Sequence, residues 1–314
     1  MKDQRILVTG GAGFIGSHIV GELLESGYAV HVLDNLSVGK RENVPAGSRF
    51  FEGDILDPRV VSQALDGVDA VLHLAARVAI RDSLEHFYED AQTNLMGTLN
   101  LLHHCGKSKI RKLIFASSMA VYGNSEEPKP IPESYVQRPI SPYGLSKLAA
   151  EQYVLVLSRQ LQMRCVSLRY FNVYGPRQSF TPYVGVITIF IQRLLRGMPP
   201  VIFGDGDQQR DFVYVGDIAR ASVLALESDL DGEVLNVGTG VGTSVNQIAQ
   251  LLIQHLGLQA KPVYREPHPG EIRHSIADIS RIRRLLGFHP RTAFSEKIRE
   301  VIGWNRENAL PHVG

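Results

Sequence analysis

The stretch that most restricts the fold lies at the N-terminus. Arg5-Ile6-Leu7-Val8-Thr9 is a short apolar run suited to a buried strand, and Gly10-Gly11-Ala12-Gly13-Phe14-Ile15-Gly16 follows at once. A helical pattern then runs from Phe14 to about Glu25, ahead of Gly27. Glycines at 10, 13 and 16 allow a tight turn, close approach of the backbone to a pyrophosphate, and close packing of helix on strand. The bare motif is equally a glycine-rich turn, so its context decides. That context is a second strand over 28–33 that ends in Asp34. A carboxylate there accepts hydrogen bonds from a ribose 2′-OH and repels a 2′-phosphate, which points to NAD rather than NADP.

The pattern of strand then helix continues. A strand over 49–53 leads to Asp54-Ile55, where the acid either meets an adenine amino group or caps the next helix. A strand over 69–74 ends in Leu74-Ala75-Ala76, small enough to let a cofactor cross the sheet edge. His73, inside that apolar run, reads as a core histidine. One long helix is expected over 83–105, carrying Asn94, and then a strand over 111–116 ending in Ser117-Ser118. In an open parallel sheet, ligands sit beyond the carboxyl ends of strands, so Ser118 arrives at the edge that carries the glycine loop. Ser117 is its rival. Prolines 128, 130, 132, 139 and 142 mark the following segment as loop.

That loop ends in Ser141-Pro142-Tyr143-Gly144-Leu145-Ser146-Lys147. Ser141 suits an N-cap, Pro142 the first helical position, and apolar periodicity carries the helix to Leu161. Tyr143 and Lys147, four apart, share a helical face. A neighbouring ammonium favours the phenolate, making Tyr143 a candidate general base. Tyr-x-x-x-Lys also arises by chance, and its company decides.

Composition narrows the function. The 314 residues carry a net charge of +1, which argues against nucleic acid or an anionic membrane as the main partner. No stretch approaches the roughly 18 apolar residues of a membrane span, and no signal peptide precedes the first strand. The two cysteines, Cys105 and Cys165, form no disulfide framework, and no Cys/His cluster has metal-ligand spacing. The expectation is a soluble cytosolic protein without a metal.

These motifs, together with Arg169-Tyr170-Phe171-Asn172-Val173-Tyr174-Gly175-Pro176 and Arg210-Asp211-Phe212-Val213-Tyr214-Val215, resemble the extended short-chain dehydrogenase/reductase family. The likeness covers the whole chain and is nearest to the branch of nucleotide-sugar epimerases and dehydratases, its UDP-glucose and UDP-N-acetylglucosamine 4-epimerases above all. It implies an α/β fold: a Rossmann doubly wound parallel sheet over 1–171, with returning segments near 212–245, and a smaller, discontinuous mixed α/β substrate lobe over 172–314. The strand near 234–237 and the helix over 244–256 are expected to return to the main sheet.

The resemblance implies roles as well. Tyr143 transfers the proton, Lys147 supports the phenolate and the ribose, and Ser118 hydrogen-bonds the substrate. A tightly held NAD would contact Gly10, Gly13, Phe14, Ile15, Gly16, Asp34, Asn35, Ser37, Gly39, Asp54, Ile55, Leu74, Ala75, Ala76, Asn94, Tyr143, Lys147 and Tyr170. A UDP-sugar would meet Ser118, Tyr143, Asn172, Val186, Phe203, Arg210, His268, Glu271 and Ser275. Val186 and Phe203 would flank the uracil, and Arg210 would face the diphosphate unless it pairs with Asp211 or Asp217. His268 stands where many relatives have arginine, which weakens that phosphate contact or passes it to Arg265. Ser275 stands where glucose-restricted epimerases carry tyrosine, and a small residue there leaves room for an N-acetyl group. Met119 and Ala120 replace the Asp-Glu of 4,6-dehydratases and cannot move protons.

The expected activity is C4 epimerisation of UDP-glucose/UDP-galactose, and of UDP-GlcNAc/UDP-GalNAc, through a transient 4-keto sugar. The rivals are a uronate 4-epimerase, a net dehydrogenase or reductase of the same fold, and a non-catalytic NAD-binding module. The resemblance also implies a homodimer formed by the helices of Asn94 and Tyr143, through Leu95, Leu99, Leu102, Leu148, Tyr153 and Leu157.

Overall fold

The computed structural model describes residues 2, 4–78, 80–125, 128–179, 185–267 and 272–308. Its main sheet grows from short strands in which alternate side chains serve opposite faces: β1 (Arg5–Thr9), β2 (Ala29–Asp34), β3 (Arg49–Glu52), β4 (Ala70–His73), β5 (Lys112–Ser118), β6 (Arg164–Tyr170) and β10 (Glu233–Val237). Ile6 and Val8 enter the core on one face, and Leu7 enters the core on the other. Ile114 and Ala116 divide from Leu113 and Phe115 in the same way. Both faces are therefore covered, as a parallel sheet requires.

The strand order is β10-β6-β5-β4-β1-β2-β3, and every pair is parallel. From β1 the chain winds outward through β2 and β3, then returns to β4 on the other side. The reversal lies between β1 and β4, where a doubly wound sheet opens its ligand crevice. Helices α1 (Phe14–Glu25) and α8 (Val215–Glu227) pack together on one face. Helices α2 (Pro58–Ala64), α5 (Gly97–Ser108) and α6 (Pro142–Gln160) pack in series on the other.

The expected single helix over 83–105 is instead three pieces. α3 (Asp82–Glu85) stops at His86, whose backbone (φ −115°, ψ 45°) leaves the helical region. α4 (Phe87–Ala91) then runs through a π-helical turn, Gln92–Met96, into α5. One extra residue per turn rotates Asn94 inward, and Asn94 is buried.

The smaller lobe is built on β7 (Asn172–Tyr174), β9 (Gln209–Tyr214), β11 (Gly242–Ser244) and β13 (His274–Ser275), with β9 central. A separate pair joins β8 (Val201–Phe203) to β12 (Val263–Arg265) in parallel. Its core gathers α7 (Val186–Leu195), α9 (Val245–Leu256) and α11 (Phe294–Glu307) around Tyr174, Phe212 and Tyr214. β10 lies in the main sheet, but α9, expected to return with it, packs on α7 and α11. The apolar stripe of Val245, Ile248, Ala249 and Leu252 finds its partners there. α10 (Ser280–Leu286) then packs against β10.

Candidate active site

The glycine loop leaves β1 at the crevice. Gly10 takes φ +71°, and a Cβ on it would lie 2.8 Å from Ala75 N. A Cβ on Gly16 would lie 2.1 Å from Gly10 O, so α1 starts directly against the loop. Gly13 is the N-cap of α1 and has no side chain to occupy the helix terminus, and Phe14 and Ile15 open the first turn. The end of β2 holds this loop: Asp34 accepts from Ala12 N (3.0 Å) and Leu36 N (2.8 Å), one bond per carboxylate oxygen. Each oxygen keeps a lone pair for a ribose hydroxyl.

The loop after β2 closes the cradle from above. Lys40 N and Asn43 Nδ2 both donate to Ala12 O, and Gly39 packs on Ala12 so tightly that a Cβ would fall 2.8 Å from its carbonyl carbon. Asn35 donates to Asp54 (2.8 Å) and accepts from Ser37 N (3.0 Å). Asp54 does not cap α2, because Asp57 does, accepting from Arg59 N. Ile55 is buried, and its carbonyl accepts from Asn100. An open helix terminus, side-chain-free glycines and a free acidic pair of lone pairs fit a dinucleotide.

At the end of β4, Leu74 N and Ala75 N both donate to the Thr9 hydroxyl (3.2 Å each), with half-buried Ala76 next in the chain. Thr9 in turn meets His73 Nδ1 at 2.7 Å, and His73 Nε2 meets Thr98 Oγ1 at 2.9 Å. The Thr98 hydroxyl gives its proton to Asn94 O (2.6 Å), so Nε2 carries the imidazole proton and the ring is neutral. Burial pulls His73 down to about 3. His73 is thus the satisfied core residue expected, and it braces the cofactor edge. Thr9 and Thr98 were not singled out in the sequence, since threonine within a strand or helix gives no local signal.

The proton-transfer candidates converge beside this edge. Ser141 caps α6 by accepting from Gly144 N (3.1 Å), worth about 1 kcal/mol, and Pro142 takes the first turn. Tyr143 is buried and hydrogen-bonded to Ser118 at the end of β5. Ser117, its rival, is buried with its hydroxyl unpartnered among the described residues. Lys147, one turn on, is buried with Nζ 4.3 Å from the centre of the Phe115 ring.

The electrostatics differ from the expectation of an acidified phenol. Burial pushes Tyr143 up to about 12; the Ser118 hydrogen bond opposes this and the Asp90 carboxylate adds to it. Burial also pulls Lys147 down to about 8, against Glu151 and Asp90. The helical spacing was right, but the low-dielectric site disfavours both charged forms.

Several substrate-side candidates lie on strands and helices of the smaller lobe. Asn172 on β7 has a buried Nδ2 with no partner among the described residues, and Ser275 on β13 is fully buried with its hydroxyl likewise unpartnered. Ser275 stands opposite half-buried Arg210 in the β13–β9 register. The carboxylates proposed as rivals for Arg210 are engaged elsewhere. Asp211 accepts from Thr239, Gly240 and Ala277, and Asp217 pairs with Arg220 at 2.7 Å. Val186 opens α7, and Phe203 ends β8 beside Arg265. The Tyr170 hydroxyl is engaged with Ser222 (2.8 Å), leaving only its ring and backbone for a ligand. His268 and Glu271 lie outside the described residues. No cluster of metal-binding side chains occurs among the described residues, and no helix there is long and apolar enough to cross a membrane.

A doubly wound sheet with a glycine loop and an acidic strand end at its switch point defines a dinucleotide-binding Rossmann protein, here with a Ser–Tyr–Lys set at the same edge. A model of the NAD dependent epimerase/dehydratase family matches residues 6–238. Three solved structures align over nearly the full chain. The UDP-glucose 4-epimerase of Thermotoga maritima, with UDP-glucose, is 42% identical at TM-score 0.93, covering 97% of this chain and 99% of that one. The UDP-N-acetylglucosamine 4-epimerase of Methanobrevibacter ruminantium, with UDP-N-acetylmuramic acid, is 38% identical at TM-score 0.93, covering 98% and 100%. The UDP-glucose 4-epimerase of Thermus thermophilus, with NAD, is 41% identical at TM-score 0.91, covering 96% and 99%. The chain belongs to the NAD-dependent epimerase/dehydratase family, and NAD is its cofactor.

Proposed function

We propose that this protein is a UDP-hexose 4-epimerase working through a transient 4-keto sugar. The observation that carries the reading is the buried contact between Ser118 and Tyr143 at the sheet edge that also holds the glycine loop. When bound, NAD would supply a reversible hydride acceptor and a positive ring that would favour the Tyr143 phenolate. Gly10, Gly13 and Gly16 with the first turn of α1 would hold its pyrophosphate, and Asp34 the adenosine ribose.

The chain's own work is proton traffic and orientation. Ser118 holds the sugar 4-oxygen, and Tyr143 takes the 4-hydroxyl proton as C4 is oxidised. After the keto sugar turns over, C4 is reduced on its opposite face and Tyr143 returns the proton to the 4-oxygen. Lys147 supports the phenolate electrostatically, a charge present below about pH 8 and lost above it. Met119 and Ala120, both buried beside Ser118, provide no acid or base for removing water from C5 and C6.

The small, buried Ser275 supports acceptance of N-acetylated as well as plain hexoses. Asn172 and Arg210 would bind the diphosphate, Arg210 with donors in a planar fork. Incubation with UDP-glucose, UDP-GlcNAc and UDP-glucuronate separately, with C4 epimers followed by NMR, tests this. Conversion of both neutral sugars is expected. Conversion of UDP-glucuronate alone would transfer the assignment to a uronate 4-epimerase, and no conversion with NAD present would move it to a different nucleotide or a different chemistry.

A further inference from the structure

We propose that Asp90 is a positioning residue that locks the Tyr143–Lys147 turn of α6 to the cofactor edge of the sheet; the inference rests on the proton-transfer reading of Tyr143. Asp90 lies at the end of α4, just before the π-helical turn, and is almost fully buried. Its Oδ1 accepts from Ser146 Oγ at 2.6 Å, and its Oδ2 accepts from Asn94 Nδ2 at 2.9 Å. Asn94 Nδ2 also reaches Ser146 Oγ at 3.3 Å, closing a triangle of three buried side chains.

Each corner of this triangle leads to a different part of the site. Ser146 sits on α6 between Tyr143 and Lys147, so whatever fixes Ser146 fixes both. Asn94 accepts from Arg77 N at 2.8 Å and donates to Arg77 O at 3.0 Å, pinning the backbone just beyond Leu74-Ala75-Ala76. Asp90 joins these two corners. A second tie comes from the same segment: Ser83 on α3 accepts from Tyr143 N at 3.1 Å. The broken helix and π turn of residues 82–96 therefore deliver three side chains, Ser83, Asp90 and Asn94, to the first turns of α6.

The ionisable groups facing Asp90 are Arg77 from the loop after β4, and Tyr143 and Lys147 from α6, with Glu151 one turn farther along α6. Burial raises the Asp90 carboxyl, while its bonds from Ser146 and Asn94 oppose that rise. The side chain is held because it offers two acceptor oxygens to two buried donors, and a group that cannot do this leaves them unmatched.

Three single variants and one double variant separate this role from general support of the fold. Asp90→Ala and Ser146→Ala are each expected to lower kcat for UDP-glucose about tenfold or more, because sub-ångström misplacement of a proton carrier is costly. KM should stay within about twofold, since the UDP-binding candidates lie on the smaller lobe. The double variant should be no worse than the more damaging single, as expected for two ends of one link. Asp90→Asn should restore most of kcat: its carbonyl can accept from Asn94 and its amide can donate to Ser146, whose proton turns to Tyr143 O at 3.0 Å.

Hydrogen exchange read by mass spectrometry supplies a measure independent of turnover. Faster exchange confined to residues 142–150 and 87–96 is expected in both alanine variants. An unchanged kcat, additive losses in the double variant, an Asn variant as poor as Ala, or unaltered exchange in these segments would each overturn the proposal. If Asp90→Ala does not fold, the nearly isosteric Ser146→Ala carries the same comparisons. Should the unaltered protein fail to epimerise any sugar, the functional reading falls, and the exchange data still decide the link.

Discussion

Gly144 and Ala120 meet backbone to backbone: a Cβ placed on Gly144 would fall 2.5 Å from the Ala120 carbonyl oxygen and 3.0 Å from Pro139 Cβ. This contact seats the first turn of α6 on the turn that follows Ser118, and so sets the distance between the Ser118 and Tyr143 hydroxyls. Gly144→Ala pits two effects against each other. Helix propensity gains about 1 kcal/mol, whereas overpacking against rigid backbone costs about 1–3 kcal/mol. The backbone cannot yield as a side-chain tip would, so net destabilisation is expected, with kcat lowered more than stability alone explains. Urea unfolding and steady-state rates check both halves.

Tyr143→Phe keeps the ring and its burial but removes the proton carrier. A loss of about 10²–10⁴ in kcat is expected, the usual contribution of a positioned acid–base group. Bound NAD should be retained, because the glycine loop and Asp34 are untouched. Full turnover in this variant would discard the assigned mechanism, and loss of NAD would recast Tyr143 as a cofactor anchor.

How much of this was legible in the sequence depended on whether the signal was local. β1, the glycine loop and Asp34 are contiguous, and apolar runs bounded by glycine and a carboxylate have few alternatives. Ser141, Pro142, Tyr143 and Lys147 were equally readable, because capping and i,i+4 spacing are properties of one turn. The break at His86 and the π turn at 92–96 were not, since a single added residue barely alters an apolar periodicity. Asp90 looks like a solvated helix residue until Ser146, distant in sequence, folds onto it. The pKa of Tyr143 was misjudged for a related reason: spacing reports the neighbour Lys147, while burial, the larger influence, comes from the whole fold.

Ser275→Tyr tests the width of the sugar pocket. Ser275 is fully buried opposite Arg210, and a phenol there would take the space assigned to an N-acetyl group. Conversion of UDP-GlcNAc is expected to fall at least about tenfold relative to UDP-glucose, within the range that steric discrimination in a pocket supplies. Equal losses for both sugars would show that Ser275 does not line the C2 side.

A homodimer is the expected assembly; of the residues first considered for it Tyr153 is exposed, whereas the leucines are not. Leu102 is buried, and Leu95, Leu99, Leu148 and Leu157 are partly buried against the core. The outward apolar surface is Phe87 and Tyr88 on α4, Met96 in the π turn, and Leu145, Tyr153 and Val156 on α6. α4 and α6 pack side by side, which makes these one face. Tyr153→Glu should weaken self-association about 30-fold if Tyr153 is an interface anchor. Sedimentation equilibrium measures this directly, and a monomeric unaltered protein would reject the assembly.

His73 gives the protein an acid-side stability limit. Its folded-state pKa is pulled down to about 3 from an ordinary 6.5, chiefly by burial, with the Lys147 charge adding. Above pH 6.5 neither the folded nor the unfolded chain protonates this ring, and its contribution is complete. As pH falls from 6.5 toward 3, the unfolded chain binds a proton that the folded chain refuses, so stability drops by about 1.4 kcal/mol per pH unit. His73→Gln keeps an acceptor for Thr9 and a donor for Thr98 without the titration. Between pH 6.5 and 5 the unaltered protein should therefore lose about 2 kcal/mol more than the variant in urea unfolding. Parallel curves would mean that acid reaches the ring without unfolding the chain, and that the Thr9–His73–Thr98 chain opens locally at the cofactor edge.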